Sequence, residues 1–255
     1  KTYVCLGTDI SSRMKNQVLT TVNQCLLNGQ VTVSDADGIH PQERGSRMKK
    51  GVRWVVHDRV GYYFLNKENV ILSNQRTEGS WKIANRQTTT PTDIIQQDVF
   101  TLSVDHGSYP NNEGYAYMVV PSADPLSIEK QVEEEGVVVL ANCPDVQAVR
   151  HDGLNMAYAV FYKGGTLRIH DKIVVEMDAP GMLMVKYNDA GEILTLGVSD
   201  PTRFMKKLHL SVNQRIVGTA QENIQTEWDG KQALTRISVD LPQNEYAGKS
   251  VIYNK

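Results

Sequence analysis

The groups in this chain able to move protons or hold charge are six histidines, 29 acids and one dense run of basic side chains. His40, His57, His106, His151, His170 and His209 are dispersed. No pair of them has the His-x-His or His-x-x-x-His spacing, with a carboxylate nearby, that would gather ligands around a metal. His57-Asp58 and Asp105-His106-Gly107 set an imidazole beside a turn, where it reads as a hydrogen-bonded corner residue rather than an acid or base. No serine lies in a Gly-x-Ser-x-Gly elbow, and no glycine-rich loop has the form of a phosphate cradle. Carboxylate pairs for glycoside hydrolysis need proximity in space, and any choice among the acids would be arbitrary. No residue is assigned a catalytic role.

Two clusters remain. Residues 34–53 form a polar segment rich in both charge signs, which reads as a surface loop, and Arg44, Arg47, Lys49, Lys50 and Arg53 make it the densest basic stretch. By charge these five are the candidates for contact with an anionic glycan; a solvated loop is the plainer reading. The second cluster lies between Trp54 and Trp81, with Tyr62, Tyr63 and Phe64 between them. Exposed rings on a β-face can stack on sugars. Strand alternation turns at least half of them inward, and Trp54, Tyr63 and Trp81 are read as core. Tyr62 and Phe64 face the other way and are also buried if a second sheet covers them.

The elements that must position these groups are strands. Apolar runs of four to eight residues recur about every ten residues, bounded by Gly, Asn, Asp and Pro, which indicates antiparallel sandwiches rather than βαβ units. The runs fall at 2–6, 17–27, 53–57, 61–65, 70–74, 79–83, 98–105 and 115–121. A second series lies at 137–142, 146–151, 156–161, 166–169, 173–177, 181–187, 193–199, 207–212, 234–240 and 249–253. A turn is expected at Gly61, and hairpins at Lys163-Gly164-Gly165, His170-Asp171-Lys172 and Asn188-Asp189-Ala190-Gly191. One stretch, 124–135, reads as helix, opening on Asp124-Pro125 and ending at Gly136.

At 255 residues the chain can hold one large β-domain or two smaller ones. Its net charge of −2 offers no basic face for nucleic acid. Cys5, Cys25 and Cys143 are odd in number and far apart, so they read as small buried hydrophobes rather than a disulfide framework. No apolar run approaches the ~20 residues of a membrane-spanning helix. The opening KTYVCLG has the look of mid-strand, and the chain is expected to be a piece of a longer protein.

Seven stretches, in order, resemble the C-terminal part of polysaccharide lyase family 8, whose members cleave chondroitin, hyaluronan and xanthan. They are VCLGTDI (4–10), LTTVNQCLLNG (19–29), WVVHDRVGYYFL (54–65), EGSWKIAN (78–85), DVFTLSVDHGSYPNNEGYAYMVVP (98–121), VLANCPDVQAVRHDGLNMAYAVFYKGG (139–165) and LPQNEYAGKSV (241–251). The chain is most similar to the chondroitin AC lyase branch. The resemblance implies an all-β segment of antiparallel sandwiches: the end of a β-supersandwich (1–123), a helical linker (124–136) and a small C-terminal β-sandwich (137–255). It also implies a catalytic α/α toroid in cis, upstream of these residues, in an enzyme that degrades a uronic-acid glycosaminoglycan, chondroitin sulfate first, by β-elimination. This segment then holds no catalytic residue and no cofactor, any calcium site lying elsewhere in the parent. The protein is expected to be periplasmic or secreted, without a membrane span. The rival class is a carbohydrate-binding or adhesion module with no lyase partner, which an exposed row of aromatics would favour.

Overall fold

The computed structural model describes residues 2–216 and 222–255. The chain divides into two compact units, residues 1–132 and 133–255.

The first unit contains β1 (Tyr3–Ile10), β2 (Gln17–Leu26), β3 (Val31–Asp35), β4 (Gly38–Pro41), β5 (Ser46–His57) and β6 (Val60–Gly79), then the one-turn α1 (Trp81–Ala84), β7 (Ile95–Ser108) and β8 (Glu113–Pro121). One hydrogen-bonded sheet joins these strands in the order β1-β8-β6-β5-β3-β4, with β7 on the far part of β6 and β2 beside β7. The 20 residues of β6 turn that one sheet into a sandwich. Residues 60–64 pair with β8 and residues 70–79 with β7. Along β5 the register breaks twice, between Lys49 and Val52 and between Val52 and Trp54. Such irregularities bend a strand pair, and the sheet folds over on itself. Phe100 of β7 comes to lie 6.1 Å, ring to ring, from Tyr62 at the start of β6. The core between the layers includes Val33, Val55, Tyr62, Phe64, Leu72 and Leu102.

Several sequence expectations change here. Residues 34–53 are not a loop: Asp35 and Gly38 close the β3–β4 hairpin, and much of the basic run becomes the first half of β5. Its charged side chains are accommodated by partners on other strands as well as by solvent. The runs at 61–65 and 70–74 are one strand, since the polar link 66–69 continues extended. Gly61 is not in the turn. The β5–β6 turn is the two-residue Asp58-Arg59, both at positive φ (48° and 61°), closed by His57 opposite Val60. Gly61 follows it in the strand, where a Cβ would lie 2.4 Å from Ile128 Cδ1 and 2.8 Å from Ala123 Cβ. Glycine is needed there because another segment lies directly upon it.

That segment opens α2 (Ile128–Glu135). The helix begins a turn later than expected, because residues 124–127 form its capping turn. The Asp124 carboxylate accepts from Leu126 N, and its carbonyl accepts from Ser127 N and Ile128 N. Glu129 accepts a hydrogen bond from Trp54 Nε1 at 3.2 Å. Trp54, Met118, Val120 and Ile128 are fully buried. Tyr63, opposite Trp54 in the ladder, is only half-buried. Trp81 departs from its expected place in a strand and in the core. Strand pairing ends at Gly79 opposite Ile95, Ser80 caps α1 by accepting from Lys82 N, and Trp81 stands 62% exposed.

The second unit contains β9 (Val137–Asn142), β10 (Val146–His151), β11 (Met156–Phe161), β12 (Gly165–His170), β13 (Ile173–Met177), β14 (Gly181–Tyr187), β15 (Ile193–Ser199), β16 (Lys207–Val212), β17 (Ile224–Asp229), β18 (Leu234–Asp240) and β19 (Val251–Asn254). Two separate antiparallel sheets, β19-β15-β14-β11-β10-β9 and β12-β13-β16-β18-β17, share one core of inward side chains. Alternation is clean: in β14 the buried positions are Gly181, Leu183, Val185 and Tyr187. The turns at 170–172 and 188–191 do close hairpins, β12–β13 and β14–β15. Lys163-Gly164-Gly165 does not, since β11 and β12 belong to different sheets and the segment is a corner between them. A Cβ on Gly164 would lie 2.6 Å from the Asp178 carbonyl oxygen, so the corner takes glycine. The edge strand β17 buries only Ile224 fully, too little apolar signal to read from the sequence.

Candidate functional site

The basic stretch is built on β5 and the turn before it. Arg44 donates to Asp98 Oδ2 at 2.8 Å and to the Asn74 carbonyl, tying the turn to β6 and β7. Arg47 pairs with Glu43 at 2.6 Å. Lys49 reaches Asp35 at 2.9 Å, and both side chains are largely buried. Arg53 lies 4.0 Å from Glu129 and donates to the Tyr63 hydroxyl. Lys50 is exposed and has no ion pair among the described residues. The five cations thus share one strand region, four with acids beside them and Lys50 open to solvent.

Asp35 is the anchor that the charge run alone does not reveal. Burial works to raise its pKa, and the hydrogen bonds from Lys49, His40 and Asp37 N outweigh that, holding the carboxyl below its ordinary range. The sequence signal for this arrangement is the Asp37-Gly38 pair, a hairpin dipeptide. A second carboxyl is also absent from the sequence reading. Glu68 of β6 is pushed up to about 7 by burial and by the neighbouring charge of Glu113. Nothing in its local sequence marks it, because Glu113 comes from β8.

Two imidazoles of the first unit, His57 and His106, are buried and hydrogen-bonded within it. His57 is buried, its Nε2 accepts from Asn28 N at 3.0 Å, and its ring stacks on Phe100 at 4.3 Å. With Nε2 accepting, the proton sits on Nδ1, which faces Cys25 Sγ at 3.7 Å. Burial lowers the His57 pKa and raises that of the Cys25 thiol. An activated cysteine needs the opposite, a thiolate beside an imidazolium, and both shifts run away from that state. His106 bonds Thr20 Oγ1 at 2.8 Å, and burial lowers its pKa too. Cys5 and Cys25 are half-buried, whereas Cys143 is exposed, contrary to its expected burial. Among the described residues no group of three or more His, Cys, Asp or Glu is placed to hold a metal ion, and no helix is long and apolar enough to cross a membrane.

The second unit carries a groove of about 660 Å³ on β13, β16, β17 and β18. Glu176, Asp178, His209, Glu227 and Arg236 line it together with serine, threonine and glutamine, and its lining includes no Trp, Tyr or Phe. It therefore lacks the stacking platform that a sugar-binding module would present.

The sequence matches the model of the polysaccharide lyase family 8 super-sandwich domain over residues 1–132, more than half of the chain. The chain belongs to polysaccharide lyase family 8. The family's C-terminal beta-sandwich domain matches residues 138–209. Chondroitinase-AC of Pedobacter heparinus is 33% identical over 251 residues, which cover 98% of this chain and 33% of that protein. Xanthan lyase of Bacillus sp. (strain GL1) is 26% identical over 211 residues, covering 78% of this chain and 22% of the relative. A solved chondroitinase AC lyase, described in complex with oligosaccharides, superposes with a TM-score of 0.81 at 33% identity, over 99% of this chain and 35% of that one. This family 8 chain spans about a third or less of the length of these relatives.

Proposed function

We propose that this chain is the non-catalytic β-region of a lyase that degrades a uronic-acid glycosaminoglycan, chondroitin sulfate, by β-elimination. Its work is to support a catalytic α/α toroid in the same polypeptide and to form one wall of the substrate cleft. The observation that carries this reading is the 33% identity to chondroitinase-AC, sustained over 98% of the chain. The burial of His57 and His106, each with a ring nitrogen engaged inside the first unit by Asn28 N or Thr20 Oγ1, supports the assignment of chemistry to residues outside this segment. β-Elimination needs a base for the proton α to the carboxyl, neutralisation of that carboxylate and an acid for the leaving oxygen. On this reading the chain itself binds no cofactor, any calcium ion lies elsewhere in the parent, and the enzyme works in the periplasm or outside the cell.

Within this reading the basic strand offers an anionic glycan its contact. Lys50 and Arg53 carry most of it, because Lys49 is committed to Asp35, and Arg44 and Arg47 each have an acid closer at hand. The test is an assay of this chain on chondroitin sulfate, following absorbance of the unsaturated uronide. No turnover is expected from the chain and clear turnover from the full-length polypeptide. Turnover by the chain alone would overturn the non-catalytic assignment.

A further inference from the structure

The β6–β7 hairpin changes character along its length. β5 accompanies β6 as far as Ser73, and β2 accompanies β7 from Val99 onward. The pairs beyond, from Arg76 opposite Asp98 to Gly79 opposite Ile95, form a ribbon of two strands only. Every residue from Gln75 to Gly79 is exposed. A two-stranded ribbon is marginal in water, and this one ends in an apolar tip. Trp81 is 62% exposed, Ile83 81%, Ile94 69% and Ile95 42%. Because Gly79 faces Ile95, the Trp81–Ile83 turn and the Ile94-Ile95 pair sit at the same end of the ribbon. Clustered exposed apolar side chains at a projecting end mark an interaction surface rather than ordinary scatter.

We propose that this tip docks onto the remainder of the family polypeptide in cis, entering an apolar depression on a protein surface. The inference rests on the proposal that the chain works within a longer lyase. Three observations select this occupant. Three of the four tip residues are aliphatic and offer no stacking face to a sugar, and of the nearby cations Lys82 is held by the Gln87 carbonyl and Arg76 by Asp98, which leaves Arg86 as a single exposed charge rather than a basic cluster for an anionic glycan. With an aromatic side chain burying roughly 150–250 Å², the four together offer on the order of 500 Å². That falls short of the ~800 Å² per partner typical of a stable interface between separate chains, which argues against a second copy. A tethered partner escapes most of the association cost, and the matched segment is only 33% of one relative and 22% of another.

Hydroxyl-radical footprinting read by mass spectrometry at Trp81, Ile83 and Ile94 tests this directly. In this chain alone the tip should label freely at all protein concentrations. In the full-length polypeptide, without glycan, labelling should fall several-fold. The double variant Trp81→Ser, Ile83→Ser should restore labelling at Ile94 in the full-length polypeptide; both positions are exposed, so this chain should melt unchanged. Equal labelling in both contexts overturns the proposal. Protection that appears only when a chondroitin oligosaccharide is added makes the tip a glycan platform and also overturns it. Concentration-dependent protection of the chain alone points to a second copy and overturns it as well. A lyase assay of the wild-type full-length polypeptide separates the docking from the proposed function. An active enzyme with an unprotected tip sinks the docking alone, and an inactive one with a protected tip sinks the functional reading alone.

Discussion

The two units solve the sandwich problem differently. The second stacks two independent sheets and joins them through tight corners such as Gly164. The first has one sheet, and bends it through β5 and β6 until its two halves face each other. The difference shows in what each unit buries. The second relies on regular inward alternation, with organised polar knots at Thr235, whose hydroxyl donates to the Gln214 carbonyl and accepts from Ile216 N, and at Asp200. Burial works to raise the pKa of Asp200, and hydrogen bonds from Thr202, Met205 N and Phe204 N outweigh it and hold the carboxyl low. The folded-over sheet carries its polar groups inside its bends: Lys49 with Asp35, Asn28 with His57, Asn23 with Tyr62. Bending a single sheet sets polar strand residues close to the core, and each then needs a partner.

Three measurements probe this contrast. The largest effect is expected at Trp54, wholly buried between the strands and Glu129 of α2. Trp54→Ala should cost about 3–5 kcal/mol, read as lost hydrogen-exchange protection along β5, β6 and β8. Retained protection would mean that the α2-covered face, with Trp54, Met118 and Val120, is not part of the first unit's core. Next is Asp200→Ala, which strands several backbone donors and should cost about 2–3 kcal/mol, seen as a lower denaturation midpoint reported by β15 and β16. A negligible loss would show that the second unit does not rest on the Asp200 knot.

The smallest effect depends on pH. Glu68 is raised from 4.5 to about 7, so across that window the folded state keeps a proton that the unfolded chain has released. Stability therefore falls as pH rises through it, by on the order of 1 kcal/mol after allowing for solvent screening. His57 and His106 act oppositely: their pKa values are lowered on folding, so acidification through the imidazole range favours the unfolded chain, which takes up protons first. Glu68→Gln should remove the first slope and leave the second, so that the first unit gains stability steadily as pH rises through the imidazole range. Urea midpoints across the window check this, and an unchanged pH profile in the variant would remove Glu68 from the account.

Much of the second unit was legible because its strands alternate. The runs at 137–142, 146–151, 173–177, 181–187 and 207–212 coincide with β9, β10, β13, β14 and β16. The fold-over in the first unit was not legible, since polar residues 66–69 break the apolar pattern while the backbone stays extended. Trp81 misled for a related reason. A tryptophan in an apolar run reads as core, but its burial depends on the neighbouring strands, and β2 and β5 both stop short of it. The basic stretch was legible as charge. Its pairing was not, because Asp98 and Glu129 are supplied from far along the chain.

The Asp58-Arg59 turn also sets an order of folding. It joins β5 to β6 through a two-residue connection, so the bent hairpin that defines both layers can form from contacts local in sequence. The pairing of β1 with β8, Tyr3 opposite Val119, spans almost the whole unit and must wait for that hairpin. Until β1 arrives, the β8 edge is open to strands of other molecules. Refolding of the first unit at high protein concentration should therefore lose material to aggregation in the interval between hairpin formation and capture of β1, and the turn residues govern how early that interval begins.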